Sequence, residues 1–180
     1  IVTETQGLSR LVNQVLDMAK IEAGQADWRS ADIDVRQVLA LAVDSMAETF
    51  REQGVQLRLS LPERVPMVRA DADRLMQVVL NLLSNAVKYA PRGDGWVALR
   101  LRSDSARVVI EVEDNGPGIP LDQQDMVFDR FLQVVGDEHY RPGGTGLGLP
   151  ISRRIIEHFG GRLWFRSIPG QGACFVAELP

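Results

Sequence analysis

Two asparagines and a lysine recur at helical spacing in the segment NLLSNAVKYAP. Asn81, Asn85 and Lys88 follow one another at steps of four and three residues, which places their side chains on one side of a helix. Amide oxygens are suitable ligands for Mg²⁺, an ion that often bridges substrate phosphates, and a nearby lysine can bind a phosphate. The spacing therefore favours a metal–phosphate site. From periodicity alone, an ordinary solvent-exposed stripe that also includes Arg74 and Gln77 is equally compatible.

A carboxylate that is followed by two glycines comes at the end of an apolar segment in EVEDNGPGIP. Asp114 stands where a strand is expected to end, and Gly116 and Gly118 leave room for another group to approach the backbone closely. A buried carboxylate requires a hydrogen-bonding partner, and the exocyclic amine of adenine is a suitable one. An Asp-Asn-Gly turn without a ligand is the alternative.

Glycines are concentrated in RPGGTGLGLP, directly before an apolar helical segment. Glycine-rich backbone that leads into a helix N-terminus offers N–H donors and the positive end of the helix dipole to a phosphate. The segment is not a Walker A loop, because no Gly-Lys-Ser/Thr ends it, and a flexible loop is the alternative. Taken together, the three segments predict a site for the metal, the base and the phosphates of a nucleotide.

The composition limits the classes of protein to which the chain can belong. Its 180 residues, 45% hydrophobic and 24% charged, suffice for one globular domain and an accessory segment. A net charge of −4 gives no basic field for nucleic acid, and the alternating Arg100 and Arg102 indicate a solvated strand face. A single cysteine excludes an intramolecular disulfide. With no long apolar run, we expect a cytoplasmic chain without membrane contact, and a longer parent protein anchored in the inner membrane is compatible with this expectation.

Apolar periodicity predicts the helices that hold these segments. Helical spacing is clear in LSRLVNQVLDMAKIEAGQ, which we expect to end at Gly24. A second helix is expected from Asp34 to Gly54, and Asp71 is the expected N-cap of the asparagine helix. A last helix is expected in LGLPISRRIIEHFGG.

Strict alternation predicts strands in VQLRLSLP, WVALRLR, RVVIEVED, RLWFRS and ACFVAELP. A short polar turn at 103–106 joins the second and third of these strands, and a turn at Pro169–Gly170 joins the last two. Helices and antiparallel strands on one core imply an α+β fold, a two-layer sandwich with the leading helix outside it.

Together, these segments resemble the catalytic, ATP-binding domain of sensor histidine kinases, within the superfamily that includes gyrase-type topoisomerases, heat-shock chaperones and mismatch-repair ATPases. NLLSNAVKYAP resembles the asparagine box of that domain, DNGPGIP its first glycine box, VFDRFLQV its phenylalanine box and GGTGLGLPI its second glycine box. They occur in the order of the family, and the resemblance covers residues 28–180. It implies a two-layer α/β sandwich with a mixed, mostly antiparallel sheet under helices, and ATP and Mg²⁺ as cofactors.

The resemblance also implies roles for individual residues. Asn85 would bind Mg²⁺, with Asn81 beside it at the phosphates, while Lys88 would contact phosphate. Tyr89 would lie along the nucleotide, and Asp114 would accept a hydrogen bond from the adenine amine. The other nucleotide-binding residues that it implies are Gly116, Gly118, Ile119, Gly144, Thr145, Gly146, Leu147 and Gly148.

A mobile lid over the ATP is implied for residues 121–145, and we expect Val134–Thr145 to be its least ordered part. Phe128 and Phe131 would pack to anchor the lid, and Arg130 would steady a phosphate or a residue of a partner.

Residues 1–24 resemble the second helix of the dimerisation and phosphoacceptor hairpin of these kinases, and residues 25–180 form the ATP-binding domain by the same resemblance. The first helix of that hairpin carries the phosphorylated histidine, followed by an acidic residue, and is not in this sequence. His139 and His158 lack that context, and we interpret them as surface or capping residues. The apolar residues expected to be exposed without a hairpin partner are Leu8, Leu11, Val15 and Met18.

Three functions are compatible with these features. The leading one is transfer of the ATP γ-phosphoryl group to a histidine, for relay to an aspartate of a response-regulator receiver domain, by a protein that is a homodimer at full length. The second is a non-catalytic nucleotide-binding scaffold that regulates a partner kinase. The third, a serine kinase that inhibits a sigma factor, is disfavoured by the leading helix. No general-base candidate is evident, since in the family that residue lies beside the phosphorylated histidine.

Overall fold

The computed structural model contains both helices and strands. It describes residues 2–104, 106–131 and 144–180, with the backbone alone for residues 2–7 and residue 10. The helices are α1 (Val2–Glu22), α2 (Val35–Gln53), α3 (Ala72–Tyr89), α4 (Gly148–His158) and a 3-10 helix (Leu121–Met126). The strands are β1 (Ala31–Ile33), β2 (Gln56–Ser60), β3 (Val68–Ala70), β4 (Trp96–Ser103), β5 (Val108–Asp114), β6 (Arg162–Ser167) and β7 (Ala173–Leu179).

A five-stranded sheet has the strand order β2-β4-β5-β7-β6. The edge strand β2 pairs with β4 in parallel, whereas the other neighbours are antiparallel. β1 and β3 form a separate antiparallel pair. The predicted α+β fold with a mixed, mostly antiparallel sheet is confirmed.

The core lies between this sheet and the helices α2, α3 and α4, which contact one another in the order α2–α3–α4. Alternation along β4 turns Val97, Leu99 and Leu101 toward the helices, where they are buried. Burial of each such side chain stabilises the fold by about 1.5–3 kcal/mol. On the opposite face of the sheet, Arg100 pairs with Glu113 and Arg102 with Glu111.

Helix α3 carries the asparagines, and its start is fixed by Asp71. The Asp71 carboxylate accepts from the backbone N–H groups of Asp73 at 3.0 Å and Arg74 at 3.1 Å, which confirms the predicted N-cap. It also accepts from the N–H of Arg29 at 2.8 Å, so the segment before α2 is tied to the same point. Asp34 caps α2 as predicted.

The structure departs from the predictions where contacts between residues distant in sequence determine the strand pairing or the burial of a side chain. β1 and β3 have three residues each, too few to give a readable alternation, and they were not predicted. The alternation in VQLRLSLP predicts that Leu59 shares an apolar face with Val55 and Leu57, but Leu59 is 51% exposed, because β2 forms the edge of the sheet. On α1, the prediction that Leu11 and Met18 are exposed is wrong, since Leu11 packs against the core and Met18 is 5% exposed. Leu8 and Val15 are exposed as predicted.

No helix in the part of the chain that the structure describes combines the length and the apolar character needed to cross a membrane.

Candidate functional site

A cavity of about 200 Å³ opens between α3, the loop after β5 and the N-terminus of α4. Each segment selected in the sequence contributes to its wall. The predicted residues found there are Asn81, Asn85, Lys88, Tyr89, Asp114, Gly118, Ile119, Gly144, Thr145, Gly146 and Gly148. The wall residues that were not predicted are Gln14, Ser84, Ala86, Val127, Leu149, Pro150, Ala173 and Phe175.

Asp114 ends β5 at this cavity and is 6% exposed. Its carboxylate accepts hydrogen bonds from the backbone N–H groups of Gly116, at 2.8 Å, and of Ala173. Burial raises the pKa of Asp114 to about 6 against the effect of these bonds, and the charge of Glu113 adds to the rise. Because a carboxylate offers about four lone-pair positions, acceptor capacity remains for a donor that enters the cavity.

Apolar side chains adjoin Asp114. Ile119, Val127 and Ala173 form a buried cluster, and Ala173 is the cross-strand neighbour of Asp114 in the sheet. Phe175 packs against this cluster and also lines the cavity. This end of the cavity therefore suits a flat apolar ring with a polar edge.

The loop after β5 packs closely on the turn between β6 and β7. Gly118 has a φ of +71°, and a Cβ atom there would lie 2.5 Å from the Ile168 carbonyl oxygen, so the position requires glycine. The side chain of Asn115 has a structural role. It accepts from the Trp96 N–H at 2.7 Å and donates to the Asp94 carbonyl at 2.9 Å, which anchors the loop to the start of β4.

Asn81 connects α3 with the start of α4. Its side-chain amide donates to the Ser152 hydroxyl at 3.0 Å. A Cβ atom at Gly148 would lie 2.0 Å from the Asn81 Oδ1 atom, so a side chain there would displace the Asn81 amide from its present position. Asn81 is thus held in place on the cavity wall by α4.

Lys88 places a cation opposite the glycine loop. Its ammonium nitrogen lies 3.6 Å from the position that a Cβ atom would take at Gly144, and 5.0 Å from the centroid of the Tyr89 ring. Burial lowers the pKa of Lys88, and burial followed by the charge of Asp114 raises the pKa of Tyr89. The polar end of the cavity therefore combines a partly buried cation with the amide of Asn85 on the same helix.

The glycine loop leads into α4 as predicted. Gly146 adopts a left-handed φ of +69°, and the Thr145 hydroxyl accepts from the Leu147 N–H at 3.3 Å. Helix α4 begins at Gly148, so its N-terminus faces the cavity. A helix N-terminus favours the binding of an anion.

Three of the predicted site residues are not on the cavity wall. Gly116 instead packs against the Tyr89 backbone and donates its N–H to Asp114. Leu147 is 1% exposed, within the core. Arg130 pairs with Glu22 of α1.

The polar stripe of α3 divides into two parts. Arg74 and Gln77 contact α1, where Asp17 accepts from Arg74 at 2.7 Å and from Gln77 at 3.0 Å. Asn81, Asn85 and Lys88 line the cavity. The alternative of a purely solvent-exposed stripe is therefore not what the structure shows.

The predicted lid lies only partly within the described residues, because residues 132–143, which include His139 and most of Val134–Thr145, lie outside them. Phe128 packs on Phe165 and Phe175, with ring centroids 6.0 Å and 6.5 Å apart, as expected of an anchor. Phe131 is instead 62% exposed, and its backbone N–H donates to the Gly146 carbonyl at 3.0 Å.

Comparison with known protein families gives a match over residues 70–180 to the histidine kinase-, DNA gyrase B- and HSP90-like ATPase model. The match includes each predicted segment of the site.

Similar proteins of known name cover almost the whole chain. The circadian input-output histidine kinase CikA of Synechococcus elongatus is 36% identical over 96% of this chain and 23% of its own length. The sensor histidine kinase WalK of Bacillus subtilis is 35% identical over 98% of this chain and 29% of its own length. The chain thus spans less than a third of either relative.

Among solved structures, full-length ShkA in complex with AMPPNP superposes with a TM-score of 0.82 at 32% identity. The superposition covers 96% of this chain and 35% of ShkA.

Proposed function

Given that the chain belongs to the histidine kinase-, DNA gyrase B- and HSP90-like ATPase family, we propose that residues 25–180 bind Mg²⁺-ATP and transfer its γ-phosphoryl group to a histidine on a dimerisation hairpin. Residues 1–24 supply the second helix of that hairpin. An aspartate of a response-regulator receiver domain then receives the phosphoryl group. Residues 1–180 act in the cytoplasm, and the protein is a homodimer at full length. The observation that carries the proposal is one cavity with a buried acceptor, Asp114, at one end and Asn85, Lys88 and the glycine loop at the other.

Adenine recognition is assigned to the end of the cavity at Asp114. The carboxylate accepts from the exocyclic amine, while Ile119 and Phe175 cover apolar parts of the ring and Gly118 allows close approach. Guanine carries a carbonyl oxygen where adenine carries that amine, so the buried acceptor Asp114 would face another acceptor. With guanine bound, the buried Asp114 carboxylate would have no donor to pair with, so the site favours adenine.

Phosphate binding is assigned to Lys88 and to the loop Gly144–Gly148. Within the described ranges, no group of three or more His, Cys, Asp or Glu residues could hold a metal ion. Mg²⁺ commonly takes ligands from a nucleotide, and Asn85 offers an amide oxygen on the wall beside Lys88. Bound Mg²⁺ would neutralise phosphate charge.

Catalysis by these residues consists of positioning and charge neutralisation. The Asn81 side chain is held by its hydrogen bond to Ser152. Lys88 is partly buried, so less water has to leave its ammonium group when a phosphate binds. The attacking imidazole comes from the hairpin. It forms the new N–P bond while the bond from the γ-phosphorus to the β–γ bridging oxygen breaks, and ADP leaves. The N–H proton of the imidazole passes to the general base, which in the family lies beside the phosphorylated histidine.

The test is phosphoryl transfer in trans. The 180-residue chain is incubated with Mg²⁺ and γ-labelled ATP, together with a hairpin that contains the acceptor histidine of the parent protein. We expect label on that hairpin which is stable in base and lost in acid, and none when the acceptor histidine is replaced by Gln. ATP binding without transfer would favour the non-catalytic scaffold instead.

A further inference from the structure

Gln14 of α1 forms part of the cavity wall, although α1 lies outside residues 25–180, to which nucleotide binding is assigned. Its side-chain oxygen accepts a hydrogen bond from the Thr145 hydroxyl. Thr145 stands between Gly144 and Gly146, in the loop that faces the Lys88 ammonium. Gln14 therefore lies at the end of the cavity proposed for the phosphates.

Other side chains on the same face of α1 keep Gln14 in this place. Asp17, one turn along the helix, accepts two hydrogen bonds from Arg74, at 2.7 and 2.8 Å, and one from Gln77 at 3.0 Å. Arg74 and Asp17 are only about one-fifth exposed. Met18, four residues after Gln14, is 5% exposed against the core. These contacts dock α1 on α3 and place Gln14 on the cavity wall.

The chemistry of a carboxamide fits this position. The Gln14 oxygen is used by Thr145, and the side chain also has an –NH₂ group with two N–H donors. Phosphate oxygens are strong acceptors, and hydrogen bonds to charged groups are stronger than those between neutral groups. Building on the proposed function, we propose that Gln14 is a further nucleotide-binding residue, which donates from its side-chain amide to the terminal phosphate of ATP.

Docking of α1 and binding of ATP then stabilise each other. If ATP binds more tightly when α1 is docked, α1 must dock more tightly when ATP is bound, by the same factor. Adenosine has no phosphates for Gln14 to contact and would leave the docking of α1 unchanged. Through Gln14, α1 would dock more tightly when the terminal phosphate is present than when it is absent.

The first experiment compares Gln14→Glu with Asn13→Glu in the complete 180-residue chain. Both variants add one negative charge to α1, but Asn13 is exposed and lies outside the cavity wall. In Gln14→Glu the oxygen that accepts from Thr145 is retained, while the N–H donors are replaced by an anion. Calorimetry with a non-hydrolysable ATP analogue and Mg²⁺ should show an affinity at least about tenfold lower for Gln14→Glu, and a change below about twofold for Asn13→Glu.

Adenosine is the second ligand in the same experiment, because it reports the base site alone. All three proteins should bind it equally, which also shows that the variants are folded. Equal losses of analogue affinity in Gln14→Glu and Asn13→Glu would overturn the assignment of Gln14, since the effect would then be one of charge at a distance. If the unmodified chain bound neither adenosine nor the analogue, the proposed function itself would fail.

A double-mutant cycle tests the link to docking. Asp17→Ala removes the partner of Arg74 and Gln77 without touching the cavity wall. It should weaken binding of the ATP analogue about as much as Gln14→Ala does, and the double variant should be little worse than either single one. Additive losses would overturn the proposal, because Gln14 would then act independently of the docked helix.

Discussion

The backbone N–H of Ile119 donates to the hydroxyl oxygen of Ser167 at 2.9 Å, which ties the loop after β5 to the end of β6. The same hydroxyl donates to the Gly172 carbonyl at 2.8 Å, and the Gly170 N–H donates to the Pro117 carbonyl at 2.6 Å. The turn between β6 and β7 and the loop that borders Asp114 are therefore joined by hydrogen bonds at the base end of the cavity.

Replacing Ser167 by Ala should weaken both the fold and the base site. The Ile119 N–H and the Gly172 carbonyl each lose a partner, which costs about 1–3 kcal/mol in the free energy of unfolding. Adenosine affinity should also fall, because Gly118 and Ile119 lose their support. Urea unfolding and calorimetry measure the two effects, and Ser167→Thr, which keeps a hydroxyl, is the control. Lower stability with unchanged adenosine affinity would limit this hydrogen bond to a structural role.

Replacing Asn85 by Ala should abolish the dependence of ATP binding on Mg²⁺ while leaving the fold intact. Asn85 lies on the cavity wall, and a methyl group cannot replace its amide oxygen as a metal ligand. Calorimetry with Mg²⁺, and with a chelator in its place, measures the dependence. Adenosine affinity should stay the same and serves as the control. If Mg²⁺ still increased the ATP affinity of this variant, Asn85 would not be a ligand of the metal.

Replacing Asp114 by Asn should separate ligand affinity from stability. The amide can donate as well as accept, so ATP affinity should fall by about one to two orders of magnitude. Above pH 6 the variant should nevertheless unfold at a higher temperature than the unmodified chain, because an ionised group that burial disfavours has been replaced by a neutral one. Competition between ATP and GTP measures ligand affinity, and thermal unfolding measures stability. Equal competition by GTP in the unmodified chain would refute adenine recognition by Asp114.

The pH dependence of adenosine binding should follow the raised pKa of Asp114, which is about 6. The ionised carboxylate is the stronger acceptor, so affinity should be constant above that value and fall by up to tenfold for each pH unit below it. Adenosine has no phosphate to titrate, which removes the contributions of Lys88 and of the nucleotide. Titrations between about pH 5 and pH 8 should show the fall, and Asp114→Asn should show none.

The sequence is sufficient to predict those parts of the site that lie within single segments. Asn81, Asn85 and Lys88 share a face because helical periodicity places them there, and the glycines around Asp114 and before α4 are local requirements of the backbone. The α+β fold follows from the same periodicities.

Contacts between distant segments could not be predicted in this way. Gln14 reaches a cavity lined by Thr145, and Asp17 binds Arg74, although 131 and 57 residues separate the partners. In the sequence, Phe175 is one more residue of an alternating strand. Only the pairing of β7 with β5 places it opposite Val112, two residues before Asp114, where it lines the cavity. Arg130 lies in VFDRFLQV, the segment that resembles the phenylalanine box, but in the structure it pairs with Glu22 of α1.

We also expect that the 180-residue chain binds ATP without labelling its own histidines. The His158 ring is stacked on Trp28, with centroids 3.7 Å apart. His158 is the last residue of α4, whereas Gly148, the first, lies on the cavity wall. The rise along a helix separates these residues by about 15 Å, so the imidazole has no in-line path to the γ-phosphate. His139 lies outside the described residues, and its sequence context lacks the acidic residue that follows an acceptor histidine.

Incubation with γ-labelled ATP and Mg²⁺, followed by separation on a denaturing gel, measures self-labelling. Brief acid treatment then distinguishes phosphohistidine, which is acid-labile, from phosphoserine or phosphothreonine. The unmodified chain, His139→Gln and His158→Gln should all remain unlabelled, although each binds the ATP analogue with the same affinity. Acid-labile label on the unmodified chain that disappears in one of the two variants would identify an acceptor within this sequence. If that variant were His158→Gln, the geometry at the cavity would have to change during the reaction, because the described position of His158 does not allow the attack.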